Sequence, residues 1–410
     1  MEKVIIIGGG ASGLIAAIYA SKKGNEVTIL ERNNSCGKKL LITGNGRCNY
    51  WNEDQHIDHY HSNNFDLLSK IITDSNKEEI LSFFDKIGIV PKIKNGYYYP
   101  FSNKAVSVQY ALLLQAKLCG IEIINNCLVK EIVKKKDKFF IKTNINEITA
   151  DKVVLATGSK ANPKTGSDGI GYELAKSLGH SITNIFPSLV QLRGEERYFK
   201  KWNGIRTEVE ITLYEDGNKI KKEFGEIQLT NYGISGICVF NLSRYVEQSL
   251  SQHKEVYVTI NFIPWIKSKN ELFDYLNKRN EKVKNRTIGQ LLEGILDYKL
   301  VYVLLSQANI NADKKFDDLT KLEKNKLIEN IYSFNLKIIG TNSFEQAQVC
   351  SGGIPLMEIN VKTMESLRTK GLYLVGELLD VDGDCGGYNL SFAWISGMLA
   401  GRAIKGECND

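Results

Sequence analysis

The spacing of apolar positions changes from one segment to the next, and the changes mark out elements. Lys3–Ile7 is a short, almost wholly apolar run that reads as a buried strand. Gly8-Gly9-Gly10-Ala11-Ser12-Gly13 leads into an apolar helix over 14–23, which Gly24-Asn25 ends. Glu26–Leu30 then makes a second strand closing on Glu31. These pieces predict a compact βαβ unit. Residues 64–88 repeat Leu67, Leu68, Ile71, Ile72, Ile80, Phe83, Phe84 and Ile87 at helical spacing. A further helix over 107–119 precedes strands at 121–133, 138–143 and 147–156, read as a small meander returning into a parallel sheet.

After about residue 190 the texture changes. Residues 208–213, 219–229 and 256–263 have strand character, the first two joined at Glu215-Asp216-Gly217-Asn218. Residues 270–333 read as helices, rich in Leu, Lys and Asn. From Phe344 onward glycines and strand patterns return. Tyr373-Leu374-Val375 ends at Gly376, and 391–404 is an apolar helix. The predicted architecture is α/β: a Rossmann-type domain in two pieces, 1–190 and 344–410, interrupted by a β-rich insertion at 191–265 and a small helical domain at 266–343.

Composition adds mainly exclusions. A chain of 410 residues needs more than one core. No run approaches eighteen apolar residues, so no membrane span is expected, and the apolar run at 4–7 is too short for a signal sequence. The 8 cysteines include no Cys-x-x-Cys pair and read as free thiols of a reducing, cytoplasmic compartment. Asp380-Val381-Asp382-Gly383-Asp384 opens like an EF-hand loop. Cys385 then stands where the turn needs glycine, and Ser391 where a bidentate Glu belongs. With the histidines dispersed as well, no metal site is expected. The net charge of +6 gathers in small clusters at Lys134-Lys135-Lys136, Lys200-Lys201 and Lys219-Ile220-Lys221-Lys222. It permits a polyanionic partner without requiring one.

The glycine run satisfies Gly-x-Gly-x-x-Gly between a strand and a helix, with Glu31 at the end of the next strand. Gly8 permits the tight turn, Gly10 lets Ala11 and Ser12 amides approach a pyrophosphate, and Gly13 lets helix and strand pack closely. Glu31 would accept hydrogen bonds from ribose hydroxyls. Two later segments favour FAD over NAD as the resident dinucleotide. The strand Val153-Val154-Leu155 leads into Ala156-Thr157-Gly158, and residues 369–377 resemble a second FAD fingerprint in which Gly376 precedes Glu377. Gly387-Tyr388-Asn389-Leu390 opens the last helix, whose N-terminal amides could face the flavin edge that turns negative on reduction.

The chain also resembles the family of bacterial flavoproteins known as BaiN-type or aminoacetone-oxidase-like, which includes the ribosomal RNA dihydrouridine synthase. The matching segments begin with Thr43-Gly44-Asn45-Gly46-Arg47-Cys48-Asn49 and Tyr99-Pro100-Phe101-Ser102-Asn103-Lys104-Ala105. They continue through 155–171 and Asn231-Tyr232-Gly233-Ile234-Ser235-Gly236, and end with 351–401, which contains Thr363-Met364-Glu365-Ser366. The resemblance implies the same three-part fold. It places 43–49 beneath the pyrophosphate and flavin, with Arg47 neutralising phosphate and Asn45 and Asn49 bonding it, and it places the Val129 backbone at the adenine. Arg32, Lys39, Gly44, Gly46 and Asp380 complete the candidate cofactor set. No second Gly-x-Gly-x-x-Gly exists, since Gly166-Ser167-Asp168-Gly169-Ile170-Gly171 has the wrong spacing, so NAD(P)H is expected only as a transient electron donor.

The family implies NAD(P)H-dependent reduction of a uridine in 23S rRNA to dihydrouridine. Hydride would go to C6 and a proton to C5, with Cys48 the candidate acid. A small-molecule flavoenzyme (an amine oxidase such as aminoacetone oxidase, or an ene-reductase) is the alternative, and a non-enzymatic RNA-binding factor is a third reading. Tyr198, Phe199 and Trp202 beside Lys200 and Lys201 could stack on bases or equally pack into a core. The sequence sets no oligomeric state.

Overall fold

The computed structural model describes residues 1–404. Cys408 and the end of the expected 344–410 segment lie outside them. Two compact units emerge, one from Met1–Phe186 with the chain from Phe344 onward, the other from Pro187–Ser343.

In the first unit the chain forms, among other elements, β1 (Lys3–Ile7), α1 (Ala11–Ser21), β2 (Glu26–Leu30), β3 (Tyr60–His61), β4 (Glu122–Ile124) and β5 (Lys152–Leu155). It returns with β6 (Leu372–Leu374), β7 (Asp382–Gly383) and α2 (Tyr388–Ala403). Strands β6, β5, β1, β2 and β4 lie side by side in that order, all parallel. Ile359–Asn360 and Glu365–Ser366 extend the β6 edge as an antiparallel pair. Parallel strands are covered on both faces, which is why β1 reads as a continuous rather than alternating apolar run. Val4, Ile5 and Ile6 are fully buried.

Helix α2 is buried almost all round. It crosses α1 in backbone contact: a Cβ on Gly397 would lie 2.3 Å from the Ser12 carbonyl oxygen, and one on Gly401 2.4 Å from that of Ala16. Only glycines spaced four apart on one helix face allow so close an approach to Ser12, Ala16 and Ala20. The first and last long helices of the unit therefore form one slab beside the sheet.

Several predicted elements divide. The helix expected over 64–88 is two, Phe65–Leu68 and Asp74–Lys86, because Thr73 caps the second by accepting from the Asn76 amide. The strand expected over 121–133 breaks at Asn126, whose φ is +56°. Glu122–Ile124 stays in the parallel sheet, while Val129–Lys135 starts a separate three-stranded meander. The strand expected over 147–156 divides likewise into Glu147–Ala150 in the meander and β5 in the sheet.

The second unit is built on a seven-stranded antiparallel sheet whose long hairpin is Arg206–Glu215 with Asn218–Leu229. Its helices Lys269–Lys282, Ile288–Glu293, Tyr298–Gln307 and Lys321–Tyr332 are followed by Phe334–Lys337, which returns to the sheet edge. The stretches read separately as a β-rich insertion and a helical domain share one hydrophobic core, in which Val209, Ile211 and Leu229 join Leu276, Leu291, Leu304 and Leu327. Short amphipathic helices have no other surface on which to bury their apolar faces.

Tyr198, Phe199 and Trp202 belong to that core and to no surface platform. Trp202 is fully buried and donates to the Thr230 carbonyl at 3.1 Å, with Tyr198 edge-on to its ring at 4.9 Å. The Lys219–Lys222 cluster is largely neutralised, because Lys221 pairs with Glu223 at 3.1 Å and Lys222 with Glu210 at 2.8 Å. Base stacking on these aromatics is therefore set aside.

Candidate active site

The glycine-rich turn has the shape a bound dinucleotide phosphate needs. Gly8 holds φ at +102°, and a Cβ there would lie 2.4 Å from the Ala156 carbonyl oxygen. A Cβ on Gly13 would lie 2.0 Å from the Gly8 carbonyl oxygen, so α1 sits hard against β1. A Cβ on Gly10, by contrast, would meet nothing within 4 Å. Gly10 caps α1 without any side-chain hydrogen bond, leaving the first-turn amides around Ala11 and Ser12 to an anion.

Glu31 is buried and already engaged. Its Oε2 accepts from the Gly9 amide at 2.8 Å, and its Oε1 accepts from both the backbone and side-chain N–H of Asn33 at 2.8 Å. The Asn126 and Cys127 amides bond to the Asn33 and Glu31 carbonyls, which carries the chain toward Val129 alongside this carboxylate. Arg32 does not stand free toward a phosphate: it pairs with Asp168 at 2.5 Å. Burial alone would raise the Asp168 pKa, but the Arg32 hydrogen bond and charge, with the Ile170 amide, bring it below the usual range.

A second cluster faces the turn. Lys39 Nζ lies 2.7 Å from Glu377 Oε2, which also accepts from Ser159 Oγ at 3.0 Å. The Gly376 amide donates to Ser396 on α2. Asp380 is buried, accepting from Asn63 Nδ2 at 2.8 Å. These contacts tie the returning segment to the loop after β2.

The 43–49 loop coils tightly, with Gly44, Asn45, Gly46 and Cys48 all at positive φ. Arg47 Nε donates to the Gly44 carbonyl, and its guanidinium lies 4.9 Å from the Tyr99 ring centre. Tyr97, on the same short strand, lies beside Gly386, just before α2. Arg47 thus stands with the tyrosines near α2. The start of α2 is itself shaped by Gly387 at φ +101° and by Asn389, which both accepts from and donates to the Gly383 backbone at 2.9 Å. Tyr388 is buried and Leu390 partly so.

These residues fit a dinucleotide. Asn49 Oδ1, Thr157 Oγ1 and the Tyr172 hydroxyl are buried yet have no hydrogen-bond partner in the protein. Asn49 Oδ1 lies near Gly387, and Thr157 follows Ala156 at the mouth of β5 before Gly158. Buried polar atoms rarely stay unpaired, and ligand hydroxyls and ring edges are natural partners for these.

Cys48 is a correction. It is 0% exposed, and burial pushes its thiol up to about 12 despite a hydrogen bond with Thr43. Neither its access nor its acidity suits a proton donor at neutral pH. Burial likewise holds Cys36 at about 12, with the Glu31 charge adding, and Cys350 and Cys385 at about 11. Cys48→Ala is expected to keep single-turnover reduction within about threefold of the wild type, in a stopped-flow comparison of the two proteins. A hundredfold loss with full flavin content would restore the thiol as the acid.

Sequence reasoning missed a polar chain on the α2 side. His59 Nδ1 lies 3.2 Å from Asp384 Oδ2 and its Nε2 3.0 Å from Asp54 Oδ2, while His61 Nε2 lies 3.1 Å from Asp384 Oδ1. The His59 ring stacks on Tyr388 at 4.5 Å and 16°. The antiparallel pairing of β3 with β7, His61 opposite Asp382, brings these groups together from opposite ends of the sequence. Spacing could not reveal them, although the Asp380–Asp384 run set aside as a metal loop was a marker of buried acids.

A family model described as HI0933-like protein Rossmann domain matches residues 2–403. A 3-dehydro-bile acid delta(4,6)-reductase of Clostridium scindens is 38% identical over 98% of this chain and 99% of its own length. A ribosomal RNA dihydrouridine synthase of Haemophilus influenzae is 27% identical over 98% of each. Among solved structures, a 3-ketosteroid-delta4-(5alpha)-dehydrogenase from Rhodococcus jostii RHA1 superposes with a TM-score of 0.51 at 15% identity, covering 99% of this chain and 97% of that one. That likeness speaks for the fold.

Proposed function

This chain belongs to the HI0933-like family of FAD-dependent oxidoreductases, and on that footing we propose that it saturates a carbon–carbon double bond conjugated to a carbonyl in a small molecule. The observation that carries this reading is the near full-length, 38% identity to a reductase of dienone bile acids. The burial of Phe199 and Trp202 and the pairing of Lys221 and Lys222 support it, since base stacking there would need exposed rings.

FAD when bound supplies a two-electron carrier between a reduced nicotinamide, met transiently, and the substrate. The first-turn amides of α1 would hold its pyrophosphate, Glu31 its adenine-side ribose, and Glu377 with Lys39 the ribityl chain. Asn49, Thr157 and Tyr172 would find partners along it. The uncapped α2 terminus offers amides to negative charge developing at its edge. Arg47 and the tyrosines beside it would orient the acceptor's carbonyl end.

A uridine of 23S rRNA is the second reading, favoured by the 27% identity over nearly the whole chain to a dihydrouridine synthase. The two substrates share one chemistry, a double bond activated by a carbonyl. The test is anaerobic incubation of the holoprotein with NADPH or NADH, with mass spectrometry of two acceptors in parallel: a 3-oxo-4,6-dienyl steroid and an unmodified 23S rRNA fragment. We expect the steroid to gain two hydrogens and the RNA none. A gain in the RNA alone would overturn the first reading in favour of the second.

A further inference from the structure

The hydrogen-bonded series Asp54, His59, Asp384, His61 runs from the surface toward the N-terminus of α2. Side-chain exposure falls along it, from 64% at Asp54 through 31% at His59 to 11% at Asp384 and 13% at His61. His59 has a carboxylate at each ring nitrogen, and an ionised carboxylate only accepts. A proton on either ring nitrogen therefore has a carboxylate to accept it, one toward the surface and one inward. His61 adds a further N–H to the inner one. Tyr388 stacks on His59 with Tyr60 at its edge, Asp382 lies across the ladder from His61, Cys385 follows Asp384, and His56 with Asp58 flanks Asp54 at the surface. Among the described residues no His, Cys, Asp or Glu group forms a metal site, so the arrangement is not a cation cage.

We propose that Asp54, His59, Asp384 and His61 form a proton-uptake relay that feeds the α2 end of the active site once per turnover. This rests on the reading that the flavin edge lies at that terminus. Saturating one double bond consumes one hydride and one proton. The hydride carries two electrons and comes from the reduced nicotinamide by way of the cofactor; the proton must come from water. An imidazole accepts a proton at one nitrogen while releasing the one on the other, so His59 can take a proton from the exposed Asp54 and pass one to Asp384 without moving. Its stacking on Tyr388 keeps the ring aligned with both carboxylates. His59 is a positioning and relay residue here, acting through Asp384.

The test has two arms. In the first, nitrogen-15 NMR of histidine-labelled holoprotein reads the protonation of His59 directly, with His59→Gln to assign the signal. We expect Asp384→Asn and Asp54→Asn each to shift the ring-nitrogen signals of His59; a ring unaffected by either substitution overturns the proposal. In the second, dithionite-reduced holoprotein is mixed with a 3-oxo-4,6-dienyl steroid. His59→Gln and the surface variant Asp54→Asn should slow reoxidation about tenfold or more at pH 8, with added imidazole restoring part of the rate in His59→Gln. Flavin content and reduction by NADPH should stay unchanged. Unchanged reoxidation in both variants, or equal slowing of reduction and reoxidation, would count against a relay. The NMR arm needs no acceptor, so its result holds whether or not the steroid is reduced.

Discussion

Gly13→Val should yield a protein without bound flavin and with a less stable first unit. The added Cβ would stand 2.0 Å from the Gly8 carbonyl oxygen and 3.1 Å from the Ala156 side chain, so α1 must lift away from β1 and β5. Overpacking of this kind costs about 1–3 kcal/mol even where neighbours yield, and here the first contact is backbone. Because the Ala11 and Ser12 amides move with the helix, FAD affinity should fall at least about a hundredfold, some 2.7 kcal/mol. The control is Gly10→Ala, whose Cβ meets no protein atom. It should keep the melting temperature of the apoprotein while losing cofactor, because the methyl occupies only the space the pyrophosphate approaches. Equal melting temperatures for apo wild type and Gly13→Val, with normal flavin absorbance, would sink the close-packing argument.

Glu31→Gln should be nearly as damaging, through hydrogen-bond direction. Three N–H groups, from Gly9 and twice from Asn33, converge on the Glu31 carboxylate. An amide of the same size presents one acceptor oxygen and one NH2, so at least one donor would face another donor in a buried site. Leaving such a group unsatisfied costs about 1–3 kcal/mol. The glycine turn would loosen from the end of β2, and the ribose would lose an ionised acceptor. Isothermal titration of apoprotein with FAD should show a loss of roughly ten- to a hundredfold. Glu31→Asp, which keeps the charge but shortens the reach, should recover only part of it. Wild-type affinity in the amide variant would mean that this carboxylate neither shapes the turn nor meets the cofactor.

The parts of the fold that were readable in advance are those whose partners are near in sequence or whose physics is steric. The order strand, glycine turn, helix, strand can be read from 3–31 because each residue type has one local task there, and the return of apolar strands after Phe344 announces a discontinuous domain. Asn126 was not readable as a break, since an asparagine with φ +56° looks like any other polar residue in a strand pattern. Trp202 is equally fit for a surface or a core until its indole N–H is placed on the Thr230 carbonyl. The geometry of the glycine turn was legible because Gly8 and Gly13 have a steric task there and Glu31 an amide partner close in sequence. The ion pair of Arg32 was not legible, since its partner Asp168 lies more than a hundred residues away. The His59–Asp384 contact spans 325 residues and depends on a two-residue ladder that no periodicity reveals.

The backbone contact between α1 and α2 also sets a timetable. Roughly 370 residues separate the end of α1 from the start of α2. At about 5–20 residues per second, the ribosome needs roughly 20–70 s to deliver the second helix after the first. Through that interval Ala16 and its neighbours lack the glycine face against which they pack, and Glu377 has yet to reach Lys39. The inserted unit, contiguous in sequence, ends 45 residues before α2 begins. Cofactor loading therefore waits for the returning segment, and a nascent chain stalled before Gly376 should take up no FAD however long it waits.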